Sequence, residues 1–208
     1  MGFGFLDIAV TPAVRAVQHE LGVAHLWQDF KGNREFNRLT DNEKRFINER
    51  DSFYMATTSE TGWPYVQHRG GPPGFLKTLD ERTLAFADYR GNMQYITVGN
   101  LSASDKVCLF LIDYPRRTRL KIYAHAEAVP LDADATLTQT VLAGARGKPE
   151  RLVRLTLQTF DWNCPQHITP RYTETELTEA LAPIRQRLEA LEAENAVLRE
   201  AQGSNPAS

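Results

Sequence analysis

The apolar residues of the first fifty positions recur at helical spacing in two segments. Residues 11–22 carry them three or four positions apart, and Pro12 stands in the first turn, where a helix accepts proline. Residues 41–50 form the second segment, which Thr40 can cap because Glu43 follows it at the spacing of a capping box. We therefore predict two helices before residue 51.

From residue 51 onward, apolar and polar residues alternate with the period of a β-strand, and a glycine-containing turn joins the first two runs. The predicted strands cover residues 53–58, 63–69, 75–79, 83–87, 106–113, 119–129 and 151–162. Short helices are predicted at residues 92–102 and 132–143. Seven short strands with few helices predict an antiparallel barrel or sandwich rather than a parallel α/β sheet.

The C-terminal segment has the clearest periodicity in the chain, with apolar residues at alternating steps of four and three. The repeat consists of Leu177, Leu181, Ile184, Leu188, Leu191, Asn195 and Leu198. This is the heptad pattern of a coiled coil, and a single asparagine at an a position specifies parallel pairing of two strands. Pro183 interrupts the pattern and leaves about two regular heptads. The alternative is an amphipathic helix that folds onto its own domain.

Length and composition indicate one globular domain with added elements, since the chain has 208 residues, of which 42% are hydrophobic and 24% charged. We expect an N-terminal helical extension at 1–40, a barrel domain at 41–172, a C-terminal helix at 173–202 and a disordered tail at 203–208. A net charge of −2 gives no general attraction to nucleic acid or to an anionic membrane. Any anion site must therefore be local.

Cysteine usage and the N-terminus indicate a cytoplasmic protein. The chain has only two cysteines, of which Cys108 lies in an apolar run and is expected to be buried. The first residues lack the basic region of a signal peptide, and no apolar run reaches the length of a membrane-spanning helix.

The densest group of unusual residues follows the second predicted strand. Gly70 and Gly71 at a strand end allow close approach of another body, such as a flat aromatic ring that binds main-chain amides, and Arg69 adds a positive charge. Further along, Arg90 and Asn92 stand where a predicted strand gives way to a helix, so the helix start and the guanidinium form a possible anion seat. For each motif alone, an ordinary surface turn is the competing interpretation.

Two further polar groups have a structural and a functional interpretation. Arg117 and Arg119 are expected on alternate positions of one strand, where two guanidiniums can hold a phosphate together, although a solvated turn explains them as well. Cys164 and His167 suggest a nucleophile pair, but their spacing through a proline and the lack of a third orienting group argue against it. The histidines lack metal-ligand spacing, so no metal site is predicted.

The order of these motifs resembles a known family. The strings HRGGPPGFL at residues 68–76 and NCPQHI at residues 163–168, with the segments at 51–57 and 84–92, are similar to FMN-binding split-barrel proteins related to pyridoxamine 5′-phosphate oxidase. The resemblance covers about residues 40–172. It implies a mainly β (α+β) fold, an antiparallel six-stranded split β-barrel with flanking helices. It also implies a homodimer with FMN at the subunit interface. The C-terminal coiled-coil helix that the heptads predict is an addition to this fold.

The resemblance also implies an FMN site that draws on several parts of the chain. Along the isoalloxazine edge it places Gln67, His68, Arg69 and Gly70. Around the ring and the phosphate it places Phe86, Ala87, Arg90 and Asn92. From the partner chain it adds Arg117 or Arg119, and Trp162.

One departure from the family pattern bears on the reaction. Members that oxidise pyridoxamine phosphate carry consecutive Arg and Lys for the phosphate and further arginines after the last tryptophan. This chain has Asn92 and Met93 in place of the consecutive Arg and Lys, and Asn163-Cys164-Pro165 in place of the arginines after Trp162. We therefore expect a flavin-dependent oxidoreductase that does not act on vitamin B6.

Two alternatives remain open from the sequence. The first is a non-catalytic module that stores or senses flavin, or that holds haem or a deazaflavin in the same cleft. The second is a dimeric interaction protein with an empty barrel.

Overall fold

The computed structural model of the chain describes residues 4–26, 36–145, 147–162 and 166–203. The chain divides into two compact units. The barrel unit comprises Met1–Asp113 and Arg117–Ile168, and the tail unit comprises Tyr114–Arg116 and Thr169–Ser208.

The barrel unit is built on a seven-stranded sheet in the order β2-β1-β5-β6-β7-β4-β3, with every neighbouring pair antiparallel. The strands are β1 (Ser52–Thr58), β2 (Pro64–Gly70), β3 (Lys77–Thr78), β4 (Thr83–Tyr89), β5 (Lys106–Asp113), β6 (Thr118–Pro130) and β7 (Pro149–Trp162). The alternation of apolar residues therefore predicted the number of strands and the antiparallel arrangement.

The strand count corrects the six strands that the family resemblance implied. Six strands have seven or more residues, and the seventh, β3, has two. Its shortness follows from Phe75, whose amide donates to the Pro72 carbonyl in a turn (2.9 Å) and whose ring stacks on Phe53, 5.5 Å between centroids. Because Phe75 turns toward the core, only Lys77 and Thr78 pair with β4.

Six α-helices and one 3₁₀ helix lie in the described residues. They are α1 (Phe5–Ala9), α2 (Pro12–Glu20), the 3₁₀ helix (Ala24–Leu26), α3 (Asp41–Asn48), α4 (Ile96–Ala103), α5 (Ala135–Leu142) and α6 (Glu174–Gly203). Helices α2, α3 and α5 confirm the predicted ones within a few residues. Helix α4 corrects its prediction, because it begins at Ile96 and not at Asn92. Met93 and Tyr95 have φ angles of 62° and 51°, and this left-handed backbone cannot continue a right-handed helix.

Helix α3 is fixed at its start by the capping box that the sequence predicted. Thr40 caps the helix, and Glu43 accepts hydrogen bonds from the backbone N–H (2.9 Å) and the hydroxyl of Thr40. The same carboxylate accepts a hydrogen bond from the Trp162 indole at the end of β7 (2.9 Å). Glu43 therefore joins α3, the last helix before the sheet, to β7, the last strand along the chain.

The sheet curls so that strands from its two ends meet around a shared core. Phe53 of β1 lies edge-on to Phe86 of β4, 5.3 Å between centroids, although the three strands β5, β6 and β7 stand between β1 and β4 in the sheet order. At the rim, Arg69 of β2 forms an ion pair with Asp88 of β4 (2.6 Å). No ladder of hydrogen bonds joins β2 to β4 among the described strands, so this junction is the opening of a split barrel.

The tail unit consists largely of α6, a 30-residue helix that runs through Pro183. Its heptad residues are exposed, and their pairing as a coiled coil stays a prediction. Among the described helices, none combines the length and the hydropathy that crossing a membrane requires.

Candidate functional site

A groove of about 210 Å³ lies where β2 faces β4 at the opening of the barrel. Strand β2 contributes Tyr65, Gln67 and Arg69 to its wall, and β4 contributes Asp88 and Tyr89. The remaining wall comes from residues 91–98, which include the loop after β4 and the first turn of α4. The groove therefore brings together the two polar segments that the sequence singled out.

The alternation of β2 divides the predicted site residues between two faces. Gln67 and Arg69 are half-buried and line the groove with Tyr65, whereas His68 and Gly70 are exposed and do not line it. The Tyr65 hydroxyl donates to the Gln67 carboxamide oxygen, and the Gln67 amide nitrogen donates to the His68 carbonyl (3.3 Å). The His68 ring instead meets the Tyr54 ring, 5.5 Å between centroids.

A network of ion pairs joins two groove residues, Arg69 and Asp88, to Glu150 and Arg151 of β7, which do not line the groove. The Asp88 side chain is 9% exposed and binds Arg69 Nη1 at 2.6 Å and Arg151 Nη1 at 3.2 Å. Arg151 also contacts Glu150, with 3.1 Å between Nη2 and Oε2. A buried carboxylate between two guanidiniums keeps both cations in place.

Arg69 carries the one feature of this network that points to a ligand. Its side chain is 18% exposed, and its guanidinium lies 5.5 Å from the Phe86 ring centroid. Its Nε is buried and has no hydrogen-bond partner within the described residues. A buried N–H without an acceptor is costly, so an acceptor supplied from the groove would stabilise it.

The start of α4 supplies backbone donors to the same groove. Tyr95 is the N-cap residue and makes no side-chain hydrogen bond to the helix, and the first turn contains no acidic residue. Ile96, Thr97 and Val98 line the groove. Asn100, further along α4, donates to the Thr57 hydroxyl of β1 (2.8 Å) and so holds the helix against the sheet. An uncapped helix start in a groove is a favourable position for an anion.

Arg90, which was predicted near the phosphate, does not line the groove and is loosely held by Glu150 and Met93. Its side chain is 55% exposed, with its Nε 4.0 Å from Glu150 Oε1 and its Nη2 3.6 Å from the Met93 sulfur. Together with Arg69, Arg151, Asp88 and Glu150, it leaves one guanidinium in excess over the carboxylates. Asn92 lines the groove, where its side chain contacts Gln94.

The structure gives other predicted site residues a place in the core. Phe86 and Ala87 are buried, and neither lines the groove. Gly71, which follows β2, is required by packing within the chain, since a Cβ on Gly71 would lie 2.7 Å from Cγ of Phe75. The small residue at position 71 therefore makes room for Phe75, where the sequence suggested room for a ligand.

Arg117, Arg119 and Trp162 do not line the groove of their own chain. Arg117 lies in the β5–β6 turn with a φ of 51°, and β6 begins only at Thr118, so the two arginines are not alternate residues of one strand as predicted. Arg119 lies over the Phe110 ring, 5.7 Å from its centroid. Trp162 packs edge-on against Phe46, 4.8 Å between centroids, and donates to Glu43.

Two polar residues of the site were not predicted to line the groove. Tyr65 could have been found, because it shares a strand face with Gln67 and Arg69. The role of Asp88, and that of Arg151 behind it, could not be found from short-range patterns, since their ion-pair partners are distant along the chain.

Two candidate chemistries find no support in the described part of the chain. No group of three or more His, Cys, Asp or Glu side chains there could hold a metal ion. Cys108 is half-buried and not in the core as expected, and this partial burial raises the pKa of its thiol, which disfavours the reactive thiolate. Asn163, Cys164 and Pro165, and with them the possible pair of Cys164 with His167, lie outside the described residues.

The segment that contains the groove matches a known protein family. Residues 39–161, which include both walls of the groove, match the sequence profile of pyridoxamine 5′-phosphate oxidase. The chain belongs to the pyridoxamine 5′-phosphate oxidase family. The resemblance carried by the HRGGPPGFL string is thereby confirmed. The N-terminal helices α1 and α2 and the helix α6 lie outside the matched segment.

Solved structures with a similar fold cover most of the barrel unit. HupZ of Group A Streptococcus superposes with a TM-score of 0.50 at 16% identity, over 64% of this chain and 99% of HupZ. A variant of HupZ gives 0.50 at 17% identity, over 60% and 98% of the two chains. A putative pyridoxamine 5′-phosphate oxidase from Lactobacillus delbrueckii gives 0.48 at 24% identity, over 60% and 94%. The HupZ matches support a common fold. No curated protein matches the chain.

Proposed function

We propose that the chain binds FMN in the groove between β2 and β4 and acts as a flavin-dependent oxidoreductase. The observation that carries the proposal is that one groove is lined both by Arg69, whose buried Nε has no hydrogen-bond partner within the described residues, and by the uncapped start of α4. The Arg69 Nε needs a hydrogen-bond acceptor, and the start of α4 favours an anion. FMN combines a ring with carbonyl acceptors and a phosphate in one molecule.

The β2 wall suits the polar edge of the isoalloxazine ring. That edge alternates carbonyl oxygens with an N–H, and Arg69 offers donors while the Gln67 amide is both donor and acceptor. Arg69 also places positive charge where the ring gains electron density on reduction, and such a fixed charge favours the reduced state. Asp88 holds the guanidinium in position for this role, through the 2.6 Å ion pair.

The α4 start and Arg90 suit the phosphate. Free backbone N–H groups and the positive end of the helix dipole attract an anion, and a guanidinium nearby adds a charge-assisted hydrogen bond. Arg90 can turn from Glu150 to a ligand, because their contact spans 4.0 Å and the arginine side chain is more than half exposed. Asn92 and Gln94 add amide donors at the same rim.

We further propose that a second chain completes the site in a homodimer. The groove of one chain, about 210 Å³, is smaller than the roughly 300–1,000 Å³ of pockets that enclose a drug-sized ligand. Arg117, Arg119 and Trp162 of the partner subunit are the candidates for the missing wall. Trp63, which is 75% exposed, and Val66 leave apolar surface at the edge strand β2, and such surface is typical of an interface.

Flavin supplies the hydride chemistry when it is bound, and the chain supplies binding, orientation and electrostatics. Vitamin B6 is not the proposed substrate, because Asn92 and Met93 replace the consecutive Arg and Lys of the B6 oxidases. Oxidation of NAD(P)H by the flavin-loaded protein, with common acceptors, separates an oxidoreductase from a protein that only stores or senses flavin.

Comparative binding of FMN and riboflavin tests the phosphate site. We expect the fluorescence of FMN to be quenched when the protein binds it. FMN should bind about 10- to 150-fold more tightly than riboflavin, since a charge-assisted hydrogen bond contributes about 1.5–3 kcal/mol. Arg90→Ala should reduce the difference in affinity between FMN and riboflavin. Arg38→Ala is the matched control, because Arg38 is also exposed and also pairs with one glutamate, Glu81 (3.4 Å).

Equal affinities for FMN and riboflavin would contradict the proposal that Arg90 and the start of α4 bind the phosphate. The absorption spectrum of the purified protein addresses the cofactor class as a whole. A haem spectrum in place of a flavin spectrum would replace the proposal with the haem-binding alternative.

A further inference from the structure

We infer that α6 pairs with α6 of a second copy of this chain, as a parallel, in-register coiled coil. This pairing is a property of the tail unit and does not depend on the flavin site. The helix lies beyond residue 161, where the match to the family ends, so the family does not account for it.

The first support is an apolar stripe that nothing covers within the tail unit as described. The a and d positions from Leu177 to Leu198 contain six Leu or Ile side chains, with exposed fractions between 41% and 64%. They follow one seam of a helix of 30 residues. A continuous exposed apolar seam of this length is typical of a helix that binds another helix.

The second support is charge complementarity between two copies of the same helix. In a parallel coiled coil, each g position faces the e position five residues on in the partner. Arg187 at g faces Glu192 of the partner subunit, and Glu194 at g faces Arg199 of the partner subunit. By the two-fold symmetry each pair forms twice, so the flanks of the seam carry four opposite-charge pairs and no like-charge pair at these positions.

Asn195 selects the parallel orientation. An antiparallel pairing with the same overlap also brings opposite charges together, but it sets Asn195 against Ile184 of the partner subunit and leaves the amide without a partner in an apolar seam. In the parallel, in-register pairing, Asn195 meets Asn195 of the partner subunit, and the two amides bind each other. Pro183 falls at a c position, away from the seam, and the two regular heptads that follow it carry the charge pairs and Asn195.

Disulfide trapping in the full-length protein tests the register and the orientation. In a background with Cys108→Ser and Cys164→Ser, Leu191→Cys places a thiol at a d position, next to its counterpart in the parallel pairing. Ala193→Cys, two residues on at an f position of the opposite face, is the matched control. In a glutathione buffer we expect Leu191→Cys to form the covalent dimer with at least about tenfold greater effective concentration than Ala193→Cys.

A charge-reversal series adds a second measurement. Arg187→Glu places like charges opposite each other and should reduce the cross-linking of Leu191→Cys, and Glu192→Arg in the same chain should restore it. Cross-linking of Leu191→Cys that is no better than that of Ala193→Cys overturns the pairing. A cross-link that forms only in a mixture of Leu188→Cys and Leu191→Cys chains overturns the parallel orientation, because that contact belongs to the antiparallel pairing.

Discussion

At the scale of single residues, the two faces of β2 have different roles. Tyr65, Gln67 and Arg69 line the groove, while Val66 and His68 are exposed on the other face. Because side chains alternate strictly along a strand, substitutions one position apart separate groove chemistry from the stability of the strand.

Gln67→Ala tests the groove face. We expect FMN affinity to fall by about 2- to 10-fold, the loss of one neutral hydrogen bond of about 0.5–1.5 kcal/mol, with the melting temperature nearly unchanged. Fluorescence titration gives the affinity. Gln139→Ala, at an exposed glutamine of α5 that does not line the groove, is the control and should leave FMN affinity unaltered. An equal loss in both variants would argue that the flavin does not lie along β2.

At the scale of elements, Glu43 connects α3 with β7. Burial raises the pKa of this carboxyl, but hydrogen bonds from the side chain and backbone of Thr40, from Trp162 and from Asn42 outweigh it and hold the pKa below its ordinary value. A depressed pKa in the folded state means that the ionised carboxylate stabilises the fold. That stabilisation is present above the unfolded pKa of about 4.3 and is lost as the pH falls through the lower folded value.

Glu43→Gln keeps the geometry of the capping box and removes the charge. We expect the variant to be less stable than the wild type at pH 7 by about 1.5–3 kcal/mol, the range for hydrogen bonds to a charged group. The difference should shrink as the pH is lowered below about 4, which urea unfolding at several pH values measures. Glu60→Gln, an exposed glutamate in the β1–β2 turn, is the control for net charge. A difference that stays constant with pH would mean that Glu43 acts through packing alone.

At the scale of the whole molecule, the family segment at 39–161 carries the groove, and α6 lies outside it. The two proposals therefore assign two contacts between copies of the chain, one at the barrels and one along α6. A tether at the barrels raises the effective concentration of the α6 helices, so that a short coiled coil can form.

Deletion of residues 177–208 separates the two contacts. We expect the shortened protein to remain a dimer with bound FMN, since the groove and the barrel surface are intact, and to melt at a lower temperature. A loss of about 1 kcal/mol appears as a decrease of about 2–4 °C at this size. Size-exclusion chromatography with light scattering gives the assembly state. A monomer without FMN would show that α6, and not the barrel, holds the two chains together.

The sequence by itself determined the features that depend on neighbouring residues. Alternating apolar residues predicted seven strands, the spacing of Thr40 and Glu43 predicted the capping box, and both are present. The heptads predicted a long C-terminal helix, which α6 confirms, while its pairing stays a prediction. These signals are local, because helix periods, strand periods and caps involve residues only a few positions apart.

Only the tertiary structure decided which predicted residues share a site. Sheet closure joined Arg69 to Asp88 and Arg151, which are far apart in the chain, and it placed Phe86 in the core. The left-handed backbone at Tyr95 moved the start of α4 from Asn92 to Ile96. Trp162 was directed to Glu43 of α3. Contacts of this kind depend on how a sheet curls and which strand edges meet, and no short period in the sequence encodes that closure.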